Sequence, residues 1–253
     1  MRNIGTCWFW FLLLFVSSLT GCVHVYYSPN AHNVPLFKKK GEKVLGVAGG
    51  SGLDEVDSGL DIQTAYALTN HLGVMSNYYR ASGKSSGEYK EGGHGHLMEV
   101  GLGYFTPLYK KAYRFELFGG TGRGKVYNYY DEFKKSTSQL YFSRHFVQAA
   151  LGWGNEYCKI ALSHRVGLLS YNKIQTKDYT IVAYPAYWSG IIRDKKYFLN
   201  EPAFTVQFGY RALQGQVQIV YAVDATDAEF AQENVNLNVG LYLALPAPKK
   251  ASK

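Results

Sequence analysis

Three cysteines in 253 residues, at positions 7, 22 and 158, are too few for the disulfide framework of a small secreted domain. Proline is also scarce, at 7 residues, so little forces an extended chain to break. Beyond the N-terminal segment no apolar run reaches the roughly 18 residues of a membrane-spanning helix, which excludes one from the body of the chain. Acidic residues are outnumbered and the formal charge is +8, but Lys and Arg are scattered over turns and loops. Without a basic helix or an aromatic-interleaved stripe, nucleic acid is excluded as a partner and the charge reads as solvation and membrane-surface bias.

What is present begins with Arg2 and "CWFWFLLLFV", Cys7 to Val16, about ten apolar residues and so roughly half a bilayer span. A basic start, a short apolar core and a small-residue exit describe an export signal over 1–21. Leu19, Thr20, Gly21 and Cys22 resemble the lipobox of bacterial lipoproteins, which implies a diacylglycerol on the Cys22 thiol and no other cofactor. With Cys7 removed and Cys22 acylated, Cys158 has no partner for a disulfide. Residues 22–42 lack periodicity and hold two prolines and the run Lys38 to Lys40, so they are expected to form a lipidated tether.

From Lys43 onward the pattern has period two, the strand signature, and 22 Tyr with 27 Gly suit many strands in close approach. Leu60, Ile62 and Tyr66 oppose Asp61, Gln63 and Ala65; Met98, Val100, Leu102 and Tyr104 oppose Glu99, Gly101 and Gly103. Ile160 and Leu162 oppose Lys159, Ala161 and Ser163; Val235, Leu237, Val239 and Leu241 oppose Asn236, Asn238 and Gly240. Phe118 is an exception, an aromatic on a polar face. The polar faces carry Gly, Ala, Gln and Asn rather than the Lys, Glu and Thr of a water-facing sheet, which suits a narrow enclosed lumen. The expected fold is therefore all-β: an antiparallel up-and-down transmembrane β-barrel of about ten strands over 43–245, with eight or twelve also compatible, and a tail over 246–253. Closure satisfies every backbone hydrogen bond and leaves the apolar stripe to lipid. Inside, Asp61, Glu99 and Glu116 are expected to pair with Arg114, Lys159, Arg165 and Arg211, since an unpaired charge there is costly. Short joins alternate with long ones, and an even strand count returns both termini to the periplasmic side.

The segments "YYSPNAHNVPLFKKKGE", "DIQTAYALTNHLGV" and "EVGLGYF" resemble a family of lipid-anchored outer-membrane β-barrel proteins of Gram-negative bacteria. The resemblance covers mainly the N-terminal third. It implies a place and a fold, an outer-membrane barrel in contact with lipid, and brings no catalytic residues.

Several motifs invite chemistry. "GGTGRGKV", Gly119 to Val126, spaces its glycines and Lys125 like a phosphate loop, but Val126 stands where a hydroxyl must hold magnesium, and no helix follows. Nucleotide binding is set aside. His94 and His96 lack a third ligand, and the acidic stretch with Asp54, Glu55, Asp57 and Asp61 lacks the ligand alternation and mid-loop Gly of a calcium site, so no metal is expected. Ser163 and His164 adjoin, but neighbours in a strand point to opposite faces, so a nucleophile and base cannot meet there. Not being an enzyme is thus the expectation, with a structural or surface-binding role through the long outer loops. Contacts with a surface ligand or protein are expected at Tyr127, Tyr129, Tyr130, Tyr184, Tyr187 and Trp188, and residues 171–199 are open to acting as a plug. Two other readings stay open: an outer-membrane lipid-modifying enzyme, and a soluble lipoprotein sandwich or lipocalin-like cup.

Overall fold

A computed structural model of the chain describes residues 26–52, 58–84, 91–108, 112–129, 137–155, 157–177, 196–210, 212–226 and 232–247. They form β1 (Lys43–Gly52), β2 (Ser58–Ala67), β3 (Leu72–Lys84), β4 (Gly92–Leu108), β5 (Tyr113–Tyr129) and β6 (Thr137–Gly154). These are followed by β7 (Cys158–Lys177), β8 (Lys196–Tyr210), β9 (Leu213–Tyr221), the two-residue β10 (Val223–Asp224) and β11 (Val235–Leu245). Each long strand pairs antiparallel with the next, β9 pairs with β11, and β11 returns to β1 with Lys43 opposite Leu245. Ten long strands thus close an up-and-down barrel, and closure leaves the sheet no edge.

The alternation expected from the sequence decides which side each residue takes. Val239 and Leu241 are 56% and 63% exposed on the outer wall, whereas Asn236 and Asn238 are buried inside. Asp61, Gln63, Glu99, Glu116, Gln216 and Gln218 likewise point inward and are buried. A soluble sandwich or cup would keep its apolar stripes inside, so this arrangement overturns that alternative. The strand ends that flank the short joins, Ala67 and Leu72, Leu108 and Tyr113, Gly154 and Cys158, and Tyr210 and Leu213, lie at one end of the barrel with Lys43 and Leu245. Gly52 and Ser58, Lys84 and Gly92, Tyr129 and Thr137, Lys177 and Lys196, and Tyr221 and Val235 lie at the other, the long-loop end.

Strands β4 to β8 run 15 to 20 residues, longer than expected, while β1, β2, β9 and β11 run 9 to 11. About 9 to 11 tilted residues cross the hydrocarbon, so the longer strands raise one side of the wall by roughly 20 Å at the long-loop end. Polarity inverts in this raised part. Below it the wall is apolar outside and polar inside. Within it, Leu97, Leu140, Phe142, Leu169, Tyr197 and Leu199 pack inside, and His94, His96 and Lys173 are exposed outside. At the short-turn end the apolar belt finishes in aromatics: Tyr113 against Trp153, and Tyr157 stacked on Tyr210. A girdle at one rim and an inversion at the other bound a belt of hydrocarbon width.

One expectation fails in a specific way. Residues 26–37 do not run outside the body as a tether: Tyr26, Tyr27, Asn30, Ala31, His32, Asn33, Val34, Leu36 and Phe37 are buried inside the barrel. The segment enters beside Gln232, which bridges Tyr27 at the long-loop end, and leaves at the short-turn end, where Gly41 N donates to Ala67 O. The barrel's own ends lie together as expected, but Tyr26 lies at the opposite end from Lys43, contrary to the expectation that the N-terminal side stays with the C-terminal one. Aperiodicity suggested a linker because an extended segment crossing a lumen meets walls on all sides and has no single apolar face.

On this geometry Val239→Arg, at the middle of the outer belt, should destabilise the barrel by about 2–4 kcal/mol, and Gln139→Arg, on the raised wall, by about 0–1 kcal/mol. Urea unfolding from lipid vesicles measures the difference.

Candidate functional site: the occupied lumen

An extended segment inside a barrel has no adjacent strand, so its amides and carbonyls need side-chain partners or incur a desolvation cost. The lumen wall supplies them residue by residue. Asp61 Oδ2 accepts from Ala31 N at 3.1 Å and Gln63 Nε2 donates to Ala31 O at 3.0 Å. Gln218 does both for His32, accepting from its N at 2.6 Å and donating to its O at 3.1 Å. Asn236 donates to Pro29 O at 2.7 Å, Gln148 to Asn33 O at 2.8 Å and Gln207 to Val34 O at 3.3 Å. Glu116 Oε1 accepts from Phe37 N at 2.8 Å. Pro29 and Pro35 lack an N–H, which removes two donors that would otherwise need partners. The Gln and Asn stripe is therefore a cradle for a backbone.

At mid-depth the cradle becomes ionic. Arg144 places Nε and Nη2 on Glu99 Oε1 at 2.8 and 2.5 Å, and Arg165 places Nε on Glu201 Oε2 at 2.5 Å. Cross contacts of 3.5 Å from Arg144 to Glu201 and 3.9 Å from Arg165 to Glu99 close a ring of two cations and two anions. Asn30 sits in it: its Oδ1 accepts from Arg144 at 2.6 Å and Arg165 at 3.0 Å, and its Nδ2 donates to Glu99 at 3.1 Å. The Tyr27 hydroxyl donates to Glu201 and accepts from Arg144. All four ring members are buried. Such a ring is tolerable in a low-dielectric interior because charges balance and nearly every donor is used.

The expected lumen network is thus partly reassigned. Glu99 and Arg165 belong to the ring. Asp61 and Glu116 bind the backbone of the crossing segment, Lys159 Nζ donates to Gln214 at 2.9 Å, and Arg114 is buried near the short-turn end. Among the described residues Asp61, Glu116, Arg114 and Lys159 form no ion pair. Arg211 lies outside the described residues. Sequence reasoning missed Arg144 and Glu201. Arg144 alternates with Leu140, Phe142 and Phe146 on an inner face too apolar to look luminal, and those rings pack on the crossing segment and its neighbours. Phe118, the exception to the alternation, is explained the same way, since it clusters with Phe37 and Phe105.

Two details fix the exit. Leu36 holds a left-handed φ of 54°, a conformation costing a non-glycine residue about 1–2 kcal/mol. Its side chain lies over Gly152, where an added Cβ would meet the Leu36 methyls and push that side chain aside.

The other candidates take definite places. Gly119 to Val126 lies inside strand β5, without the loop and helix a phosphate site needs. His94 and His96 are exposed on the outer wall, and no metal-ligating cluster occurs among the described residues. Ser163 faces inward and His164 outward, as expected. Ser163 meets a different imidazole, His32 Nδ1 at 2.7 Å, with both residues buried. A pair sealed between wall and segment fastens them together and offers no approach to a substrate. Tyr127 and Tyr129 lie half-buried on the outer face of β5, in a strand where a loop was expected. Cys22, Tyr130, Tyr184, Tyr187, Trp188 and the acidic residues Asp54, Glu55 and Asp57 lie outside the described residues.

No family model matches the chain, and no curated sequence does. Among solved structures it is similar to LpxR from Salmonella typhimurium at 11% identity and a TM-score of 0.40, covering 80% of this chain and 100% of that one. It is also similar to a loop-deletion mutant of OmpT, an outer membrane protein of Vibrio cholerae, at 6% identity and a TM-score of 0.28, covering 81% and 98%. CdiB from Acinetobacter baumannii follows at 8% identity and a TM-score of 0.24, covering 81% and 60%.

Arg144→Met strands Glu99 and Glu201 beside a single guanidinium and should cost about 3–5 kcal/mol of stability. Replacing ring members together, as Arg144→Met with Glu99→Gln, should cost less than the sum of the two single changes. Thermal unfolding in detergent, followed by loss of the β-sheet circular dichroism signal, measures both.

Proposed function

We propose that the chain is a lipid-anchored outer-membrane barrel, sealed by its own N-terminal segment, with a structural or surface-binding role through its long-loop end. The single observation that carries this reading is the burial of residues 26–37 across the lumen, bonded to the wall through backbone as well as side chains. A ten-stranded barrel encloses a thin channel at most, and one extended chain fills it. The apolar outer belt supports a place in a membrane, and the short-turn and long-loop ends assign its inner and outer sides by the rule that outer-membrane barrels keep short turns in the periplasm. The raised wall of β4 to β8 supports surface binding, because it carries the strand ends Gly92, Tyr129, Thr137, Lys177 and Lys196 beyond the apolar belt. An acylated Cys22 supplies the anchor, and no cofactor or catalytic group is invoked.

Planar bilayers test the sealing. The intact protein should insert without steady conductance, and a variant with residues 29–33 replaced by Gly and Ser, which lacks the grip of Asn30 and His32, should show repeated opening. Steady conductance from the intact chain would refute the reading.

A further inference from the structure

We infer that the outer wall where the raised strands leave the belt is a binding site for a phosphorylated glycolipid of the outer leaflet. This rests on the membrane placement proposed above. Strand register puts Arg80, His96, Lys125, Tyr141 and Lys173 directly side by side across β3 to β7. Lys125 and Lys173 flank the Tyr141 ring at 5.4 and 5.8 Å, which presents both ammonium groups on one patch. Two residues nearer the belt, about 7 Å lower, a second row holds Arg123, Ser143, Ser170 and Lys196 in direct register. Neither row contains an acidic residue, and among the described residues these five Lys and Arg form no ion pair.

No two of these cations are directly opposite, but Arg123 and Lys125 lie two apart on one face of β5 and Lys125 and Lys173 flank one ring, so the patch concentrates positive charge that an anion neutralises. Position selects which anion. Immediately below the two rows the wall turns to exposed Val100, Val147, Leu168 and Phe198, and Met98 already stands beside Arg123 in the second row. A ligand lying along this surface needs phosphates at the level of the cations and acyl chains at the level of the belt. Serine hydroxyls between the cations suit the sugar hydroxyls of a glycolipid, which a phosphodiester lipid with a small headgroup lacks. Arg supplies forked donors and Lys point charges to the phosphate oxygens.

The test uses the full-length protein in detergent micelles with added lipid A, dephosphorylated lipid A or phosphatidylglycerol, read by native mass spectrometry and thermal shift. The triple variant Arg123→Gln, Lys125→Gln, Lys173→Gln changes only outer-wall side chains, and a heat-modifiable gel band confirms its fold. Expected are lipid A binding that raises the unfolding temperature, at least a tenfold loss of affinity in the triple variant, and a comparable loss when the lipid is dephosphorylated. Equal binding by the triple variant overturns the site, and equal binding of phosphatidylglycerol overturns the glycolipid assignment. A wild-type chain that inserts into bilayers but ignores lipid A sinks this inference alone; one that fails to insert sinks the membrane reading beneath it.

Discussion

The structure depends on one requirement: a polypeptide that crosses the inside of a barrel brings about a dozen peptide groups into a dry space, and each must find a partner there. The wall meets it with amides and carboxylates rather than with another strand. Asp61 with Gln63, and Gln218 alone, each reproduce for one residue of the crossing segment what a sheet neighbour would provide. Because the wall's inward positions recur every second residue, such partners lie at regular intervals along the path. The stripe that looks merely polar in sequence is a binding surface whose ligand is covalently attached.

Charge is handled by the same economy. Arg144, Arg165, Glu99 and Glu201 are all buried, and none would be tolerable alone. Asn30 mediates between them because its amide accepts from both guanidiniums and donates to a carboxylate. Ring and segment hold each other: without the segment, polar ends of the ring lose partners, and without the ring the segment loses its central anchor. Apolar clusters stand above and below, Tyr26 among Tyr171, Tyr197 and Leu199 at one end and Phe37 among Phe105 and Phe118 at the other.

Much of the wall was legible in the sequence because a sheet's period of two is strict: Val235 to Leu243 and Asn236 to Asn238 took the faces their alternation assigned. Strand limits at the short-turn end were also readable, since compact turns punctuate them. The long-loop ends were not, because polarity inverts there and the apolar residues change sides, which made Tyr127 and Tyr129 look like loop residues. The crossing segment was illegible for another reason. Asn30 and His32 meet Arg165 and Ser163 of β7 while Asn33 meets Thr64 and Asn77 on β2 and β3, and all are enclosed, so no contrast of polar and apolar faces records their environment. Arg144 was hidden by Phe142 and Phe146, whose inward rings make sense only once the segment is in place.

The crossing segment also constrains how such a molecule can come into being. It is continuous with β1 at one mouth of the barrel and emerges at the other, so a finished cylinder could admit it only by passing its free end, with anything attached to that end, through a bore already lined by Arg144 and Glu99. The sheet must instead wrap around the segment before its final seam is zipped. Whichever pair of strands meets last, the polar side chains of the wall have their guest before they have their full circle of neighbours, as a ship is rigged inside a bottle whose glass is still being blown.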